Sequence, residues 1–121
     1  MEKTEQEIKN ELSQNTGTTQ HFQIPFSHYV YTDGVENLIR LCKCWWLISD
    51  LGIEINTKKE LQKPFLLLKI EVNNKKEGIV TLREDSNKKP IFEKKYNYTD
   101  FPLKEYEIYI CDNVFLLKSE Y

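Results

Sequence analysis

The sequence predicts an α+β domain in which N-terminal helices pack on one face of an antiparallel β-sheet of about five strands. Three observations predict this class. Apolar residues recur at helical spacing before residue 58, and they alternate with polar residues after residue 64. The chain of 121 residues, 40% of them hydrophobic, fits one domain with a modest core. We expect residues 1–21 to form an N-terminal helical arm and connection, and residues 22–121 to form the single domain.

The first helix is predicted over residues 4–14. Thr4 followed by Glu7 has the form of a capping box, and Ile8 and Leu12 follow at helical spacing. The apolar stripe is only two residues wide. Because such a helix is marginal alone, we expect an arm that is mobile or that docks onto a partner.

Two stronger helices are predicted after an irregular connection over residues 15–27. Thr32 can cap the first of them, over residues 33–43, whose apolar residues fall at positions i, i+3, i+4 and i+7. These residues are Val35, Leu38, Ile39 and Cys42. A broader apolar stripe predicts the second helix over residues 45–57. One bent helix across both ranges is the alternative.

Strand-like runs separated by turn residues make up the rest of the chain. They span residues 65–72, 78–84, 90–96, 105–110 and 114–118. Before the last run, Asp112 and Asn113 tolerate the left-handed conformations that a tight hairpin turn needs. Pro102 cannot donate a hydrogen bond to a sheet, so we place it at a strand boundary.

The expected compartment is the cytoplasm. No apolar run approaches the roughly 18 residues of a membrane span, and the acidic start is unlike a signal peptide. The three cysteines, Cys42, Cys44 and Cys111, are odd in number, and Cys42 and Cys44 have the wrong spacing for a redox C-x-x-C motif or for half a zinc site. We therefore expect reduced thiols.

The side chains that could perform catalysis lack the usual local signatures. Neither His21 nor His28 lies near a G-x-S-x-G turn, although a pair of His28 with a cysteine in space stays open. Cys42 and Cys44 point about 200° apart on a helix and cannot share a metal ion without unwinding it. We expect no catalytic residue, no metal, no cofactor and no enzymatic activity.

Two carboxylate pairs have ordinary explanations. Asp33 and Glu36 occupy a first helical turn, where they complement the helix dipole. Asp50 and Glu54 lie four residues apart, as on a solvated helix face.

Charge is unevenly distributed along the chain. Residues 58–95 carry 11 Lys and Arg against 6 Asp and Glu, whereas residues 1–57 carry 4 against 8 and residues 96–121 carry 2 against 5. A basic middle segment can contact phosphates or an acidic protein surface. The candidate residues are Lys75, Lys76, Lys88 and Lys89. Alternatively, these lysines only keep turns and strand edges soluble.

Aromatic residues are unusually frequent for a core of this size. Exposed Tyr and Trp side chains are typical of protein interfaces. The partner-binding candidates are Tyr29, Tyr31, Trp45, Tyr96 and Tyr98. Packing in the core is the alternative for each of them.

Three motifs carry a resemblance to a known family. They are Tyr-Thr-Asp-Gly-Val at residues 31–35, Thr-Asp-Phe-Pro-Leu at residues 99–103 and Ser-Glu-Tyr at residues 119–121. The chain resembles, over residues 22–121, an uncharacterised family of small domains encoded by phages, plasmids and other bacterial mobile elements. That resemblance implies no established reaction and no catalytic residue.

The resemblance implies a genetic setting in which small proteins often bind and block a host machine, as anti-CRISPR proteins do. We therefore expect a non-enzymatic binding protein in the bacterial cytoplasm. Its expected target is a bacterial protein or ribonucleoprotein such as a CRISPR-Cas effector with its guide RNA, so that RNA contact is possible. Two alternatives stay open: a nucleic-acid-associated accessory protein that uses residues 58–95, and a small hydrolase with a site not visible in the sequence.

Overall fold

The computed structural model describes residues 3–15, 17–18 and 20–121. Three α-helices and seven strands lie in the described ranges, in the order α1-β1-β2-α2-α3-β3-β4-β5-β6-β7. The helices are α1 (Glu5–Ser13), α2 (Asp33–Cys42) and α3 (Trp45–Thr57). The strands are β1 (His21–Gln23), β2 (Val30–Thr32), β3 (Phe65–Val72), β4 (Gly78–Arg83), β5 (Phe92–Tyr96), β6 (Glu105–Cys111) and β7 (Val114–Leu117).

The strands form one sheet in the order β1-β2-β7-β6-β3-β4-β5. The α+β class is confirmed, but the described sheet has seven strands where about five were expected. Neighbouring strands are antiparallel except β2 and β7, which pair in parallel, with Val30 opposite Val114. The two strands that the sequence missed have three residues each, which is too short to show an alternating pattern. The segment predicted as an irregular connection therefore contains β1.

The helix predictions are confirmed. Thr32 caps α2, since its Oγ1 accepts a hydrogen bond from the Val35 backbone N–H at 3.2 Å. Lys43 follows α2 in the left-handed conformation, with φ of 53°, and this residue separates α2 from α3. The alternative of one bent helix is wrong.

The hairpin between β6 and β7 also has the predicted turn. Asp112 and Asn113 both have positive φ, 49° and 69°, and Cys111 pairs with Val114. These are the signs of a two-residue turn whose twist matches that of the flanking strands.

The core lies between one face of the sheet and the helices. The strand register places Leu68 beside both Leu82 and Ile108, so that alternate apolar side chains share this face. Helices α2 and α3 contribute buried residues to the same core. These helical residues are Val35, Leu38, Cys42, Leu47, Ile48, Leu51 and Ile55.

Helix α1 packs on this core. Ile8 and Leu12 are buried in it, and the Lys104 backbone N–H donates to Glu5 Oε1 at 2.9 Å. Both halves of the predicted capping box between Thr4 and Glu7 are formed. The division of the chain at residue 21 stays a prediction. No helix in the described ranges is long and apolar enough to cross a membrane.

Candidate binding groove

A groove of about 830 Å³ lies where α1, the α2–α3 junction, the β3–β4 turn and the loop before β6 meet. Its rim is basic. Five cationic side chains line it, namely Lys3, Arg40, Lys43, Lys76 and Lys104. Asp100 is the one carboxylate among the lining residues in the described part of the chain. Such an excess of one charge in a concave site concentrates field and attracts anions.

Local structure holds the backbone of three of these cationic residues in place. Lys43 is the left-handed residue that ends α2. Lys76 has φ of 63° in the β3–β4 turn, where Asn73 Oδ1 accepts hydrogen bonds from the backbone of Lys75 and Glu77. The Lys104 carbonyl accepts from Val72 N at 2.8 Å. The rim is therefore built on ordered backbone.

Among the described residues, most of the rim cations have no carboxylate partner. Lys3 lies 3.9 Å from Glu11, and Arg40 donates to the neutral Asn37 amide oxygen at 2.7 Å. Within the described ranges, Lys43, Lys76 and Lys104 form no ion pair. Their charges are thus available to an anionic ligand.

The floor of the groove is mixed, because the polar Asn73 and Asn74 lie beside apolar residues of which Leu41, Trp46 and Val72 are partly exposed and Pro102 is exposed. The other apolar lining residues, Ile8, Cys42, Phe101 and Leu103, are buried. Trp46 is half-buried and packs edge-on against Tyr96, with ring centroids 5.0 Å apart. A ligand that covered the partly exposed apolar side chains would gain free energy from their burial, and a ligand that reached the rim would meet positive charge.

A polar link joins Asp50 of α3 to Tyr96 and Lys94 of β5, next to Trp46. The Tyr96 hydroxyl and Lys94 Nζ both donate to Asp50 Oδ2, the latter at 2.7 Å. Burial, together with the bond to Asp50, raises the pKa of Tyr96 far above its ordinary value. Tyr96 therefore stays protonated and acts as a hydrogen-bond donor. Asp50 and Glu54, which lie four residues apart on α3, have different partners, since Glu54 pairs with Lys58 at 3.2 Å.

Two of the aromatic partner candidates are buried in the core, which is the alternative that the sequence left open for each of them. Tyr29 is 4% exposed and packs edge-on against Phe115. Tyr31 is 9% exposed and packs against Phe22 and Trp45. For Tyr31, the register of β2 places the side chain on the core face beside Phe115.

The other three aromatic candidates differ in exposure. Trp45 is partly exposed, and Tyr98 is 68% exposed in the loop after β5. Tyr96 is half-buried in the link to Asp50 described above. Only Trp45 and Tyr98 remain as exposed aromatic candidates from the predicted set.

The four candidate lysines do not form one surface. Lys75 and Lys76 lie in the turn before β4, whereas Lys88 and Lys89 lie in the loop after it. A six-residue strand spans about 20 Å. Of the four, Lys76 alone lines the groove. The basic segment expected from the sequence is therefore divided between opposite ends of β4.

Sequence reasoning missed the other cations of the groove because they come from distant positions. Lys3, Arg40, Lys43 and Lys104 lie outside residues 58–95, and only folding brings them together. It also missed Phe26, which is 91% exposed with φ of 64° in the β1–β2 loop. No local pattern distinguishes any of these residues.

The structure does not place His28 beside Cys42 or Cys44. His28 lies in the β1–β2 loop, where its backbone N–H donates to Asn56 near the end of α3. Cys42 and Cys44 are buried near the start of α3, at the other end of the helix. Burial raises the pKa of Cys42 to about 12, which disfavours the nucleophilic thiolate. The described residues hold no group of three or more His, Cys, Asp or Glu that could bind a metal.

Two of the three sequence motifs meet at the start of α2. Glu120 Oε1 accepts a hydrogen bond from Thr32 Oγ1 at 2.7 Å and from the Leu117 backbone N–H at 2.9 Å. Glu120 Oε2 accepts from the Gly34 backbone N–H at 3.3 Å. A Cβ at Gly34 would lie 2.3 Å from Glu120 Oε1, so this position has no room for a side chain while the carboxylate stays in place.

The third motif shapes the loop beside the groove. Thr99 is buried; its Oγ1 accepts from the Phe101 backbone N–H at 3.1 Å, and its own N–H donates to the Lys76 carbonyl at 2.8 Å. Phe101 and Leu103 then contribute to the groove floor. The motifs thus have structural roles, and only the third borders the groove.

Comparison with known proteins identifies the family. A model described as a family of unknown function, DUF6876, matches residues 6–121. The chain belongs to this family. The DUF6876 match begins within α1, so it extends beyond the residues 22–121 over which the motifs suggested a resemblance. Comparison with curated proteins gives no match, and neither does comparison with solved structures.

Proposed function

We propose that this DUF6876 protein works by binding an anionic surface of another macromolecule and that the basic groove is its contact site. The observation that carries this proposal is the composition of the groove: five cations and one carboxylate surround a floor that includes the partly exposed Leu41, Trp46 and Val72. Unpaired cations accelerate encounter with an anionic partner, and the floor adds buried area once contact is made.

The finer form of the proposal concerns the target. A bacterial defence nuclease, such as a CRISPR-Cas effector with its guide RNA, offers both acidic protein surface and phosphate. Inhibition of such a nuclease, a phage or mobile-element origin and action in the bacterial cytoplasm stay predictions that rest on the sequence resemblance. They are tested by whether the purified protein blocks target cleavage by a purified effector.

A direct test of the groove uses two variants with equal charge change. Lys43→Glu with Lys104→Glu reverses two charges of the groove, whereas Lys88→Glu with Lys89→Glu reverses two charges beyond β4. Each variant and the wild type are used as bait in a bacterial lysate, with and without ribonuclease. We expect the wild type and the Lys88/Lys89 variant to retain the same bound component and the Lys43/Lys104 variant to lose it.

Three outcomes separate the candidate functions. Equal retention by both variants would show that the groove is not the contact site. Loss of the component after ribonuclease would favour the nucleic-acid-associated alternative. Turnover of a small substrate by the purified protein, with no partner retained, would favour the hydrolase.

A further inference from the structure

We infer that the occupant of the basic groove is an acidic amphipathic helix of a partner protein. The inference rests on the proposed function, which it deepens by naming the class of partner. Three properties of the groove lead to it: the chemistry of the floor, the hydrogen bonding of the adjacent strand and the origin of the cations.

The floor favours protein side chains over nucleotide bases. Its accessible apolar residues are the aliphatic Leu41, Val72 and Pro102 and one aromatic residue, the half-buried Trp46, whereas Phe101 is buried. Binding of single-stranded nucleic acid normally needs successive aromatic rings on which bases stack. One partly accessible ring does not provide such a series, whereas leucine-like side chains match an aliphatic floor.

The adjacent strand favours a helix over an extended peptide. β3 is the strand that reaches the groove, and it is paired with β4 on one side and β6 on the other. At its end, Val72 donates to the Lys104 carbonyl, so this part of the strand has no free edge. An extended peptide would leave its backbone groups unpaired here, whereas a helix satisfies its own.

The cations come from both groups of elements that line the groove. Arg40 and Lys43 belong to the helical side, and Lys76 and Lys104 belong to the loops of the sheet. A helix with acidic residues flanking an apolar stripe can pair with both sets while its stripe covers the floor. The volume of about 830 Å³ is in the range of sites that enclose a short segment of side chains.

The chain provides its own reporter for a test. It has two tryptophans, and Trp46 lines the groove while Trp45 packs against Tyr31 outside it. Trp45→Phe therefore leaves Trp46 as the single tryptophan. Its fluorescence is followed during titration with a synthetic peptide that has leucine at positions i, i+3, i+4 and i+7 and glutamate elsewhere.

We expect a saturable blue shift of Trp46 emission that weakens as salt rises. In the same background, Lys43→Glu with Lys104→Glu should weaken binding by at least about tenfold, and Lys88→Glu with Lys89→Glu should leave it nearly unchanged. A thermal melt of each variant shows that it is folded. In a Trp46→Phe variant that retains Trp45, the shift should disappear.

Two comparison probes distinguish this inference from the proposed function. If single-stranded oligouridylate binds the groove and the acidic peptide does not, the inference is overturned while the proposed function stands. Equal binding of a peptide with lysine in place of glutamate also overturns it. If neither anionic probe binds and the lysate partner is retained by the groove variant, both fail. A Trp46 shift that depends on protein concentration alone would identify a second copy of the chain as the occupant and overturn the inference.

Discussion

Glu120 joins two distant parts of the sequence through one carboxylate. It accepts hydrogen bonds from the Thr32 hydroxyl and the Gly34 backbone N–H, which belong to the start of α2. The carboxylate is also favoured there by the positive end of the helix dipole. Glycine at position 34 leaves the space that the carboxylate fills. The motifs at residues 31–35 and 119–121 are therefore parts of one structural contact.

This contact predicts that the effect of Gly34→Ala on stability changes sign when the Glu120 carboxylate is removed. Gly34→Ala places a Cβ where Glu120 Oε1 lies, so the carboxylate must leave its donors. We expect a loss of roughly 1 kcal/mol of stability, because lost hydrogen bonds exceed the gain in helix propensity. With Glu120→Ala already present, the same substitution should stabilise the protein by up to about 1 kcal/mol.

Urea denaturation of the four proteins measures this coupling. An equal effect of Gly34→Ala in both backgrounds would show that the carboxylate does not occupy the space beside Gly34.

At the scale of elements, helix α3 is fastened to the edge strand β5 by polar bonds as well as by packing. Tyr96 and Lys94 from β5 donate to Asp50 of α3, and Trp46 packs on the Tyr96 ring. The hydroxyl bond is charge-assisted, although Asp50 is partly open to solvent. The position of Trp46 in the groove thus depends on β5.

Tyr96→Phe should lower the free energy of unfolding by about 1 kcal/mol, since Asp50 loses one of its two donors. Tyr98→Phe is the matched control, because Tyr98 is largely exposed and no hydrogen bond of its hydroxyl is found within the described ranges. Chemical denaturation of both variants measures the difference. Equal stability of the two variants would contradict a structural role for the Tyr96 hydroxyl.

Elements were predictable in proportion to the length of their pattern. The 13 residues of α3 and the 8 of β3 contain enough apolar positions to reveal their period, and both have the predicted bounds. β1 and β2 have three residues each and reveal none. The groove was not predictable, because Arg40 and Lys104 become neighbours of one cavity only through tertiary packing.

At the scale of the whole molecule, folding keeps ionisable groups neutral both in the core and in the layer packed against it. Burial raises the pKa of Cys42 from 9.0 to about 12 and the pKa of Tyr106 from 10.0 to about 12. In the unfolded chain, each group loses its proton near its ordinary pKa. The unfolded state therefore binds fewer protons than the folded state in alkaline solution.

This difference predicts the direction of the pH dependence. The contribution of Cys42 is fully present below about pH 9, and stability should decline as the pH rises from about 9 towards about 12. Cys42→Ala should start from a lower stability, because it leaves a small gap in the core, but should decline less over the same interval. Cys111→Ala should keep nearly the full decline, since the Cys111 thiol is partly exposed. Urea denaturation in reducing buffer at about pH 8 and about pH 10.5 measures the loss of unfolding free energy between the two pH values. An identical loss for wild type and Cys42→Ala would mean that Cys42 ionises as readily in the folded protein as in the unfolded chain.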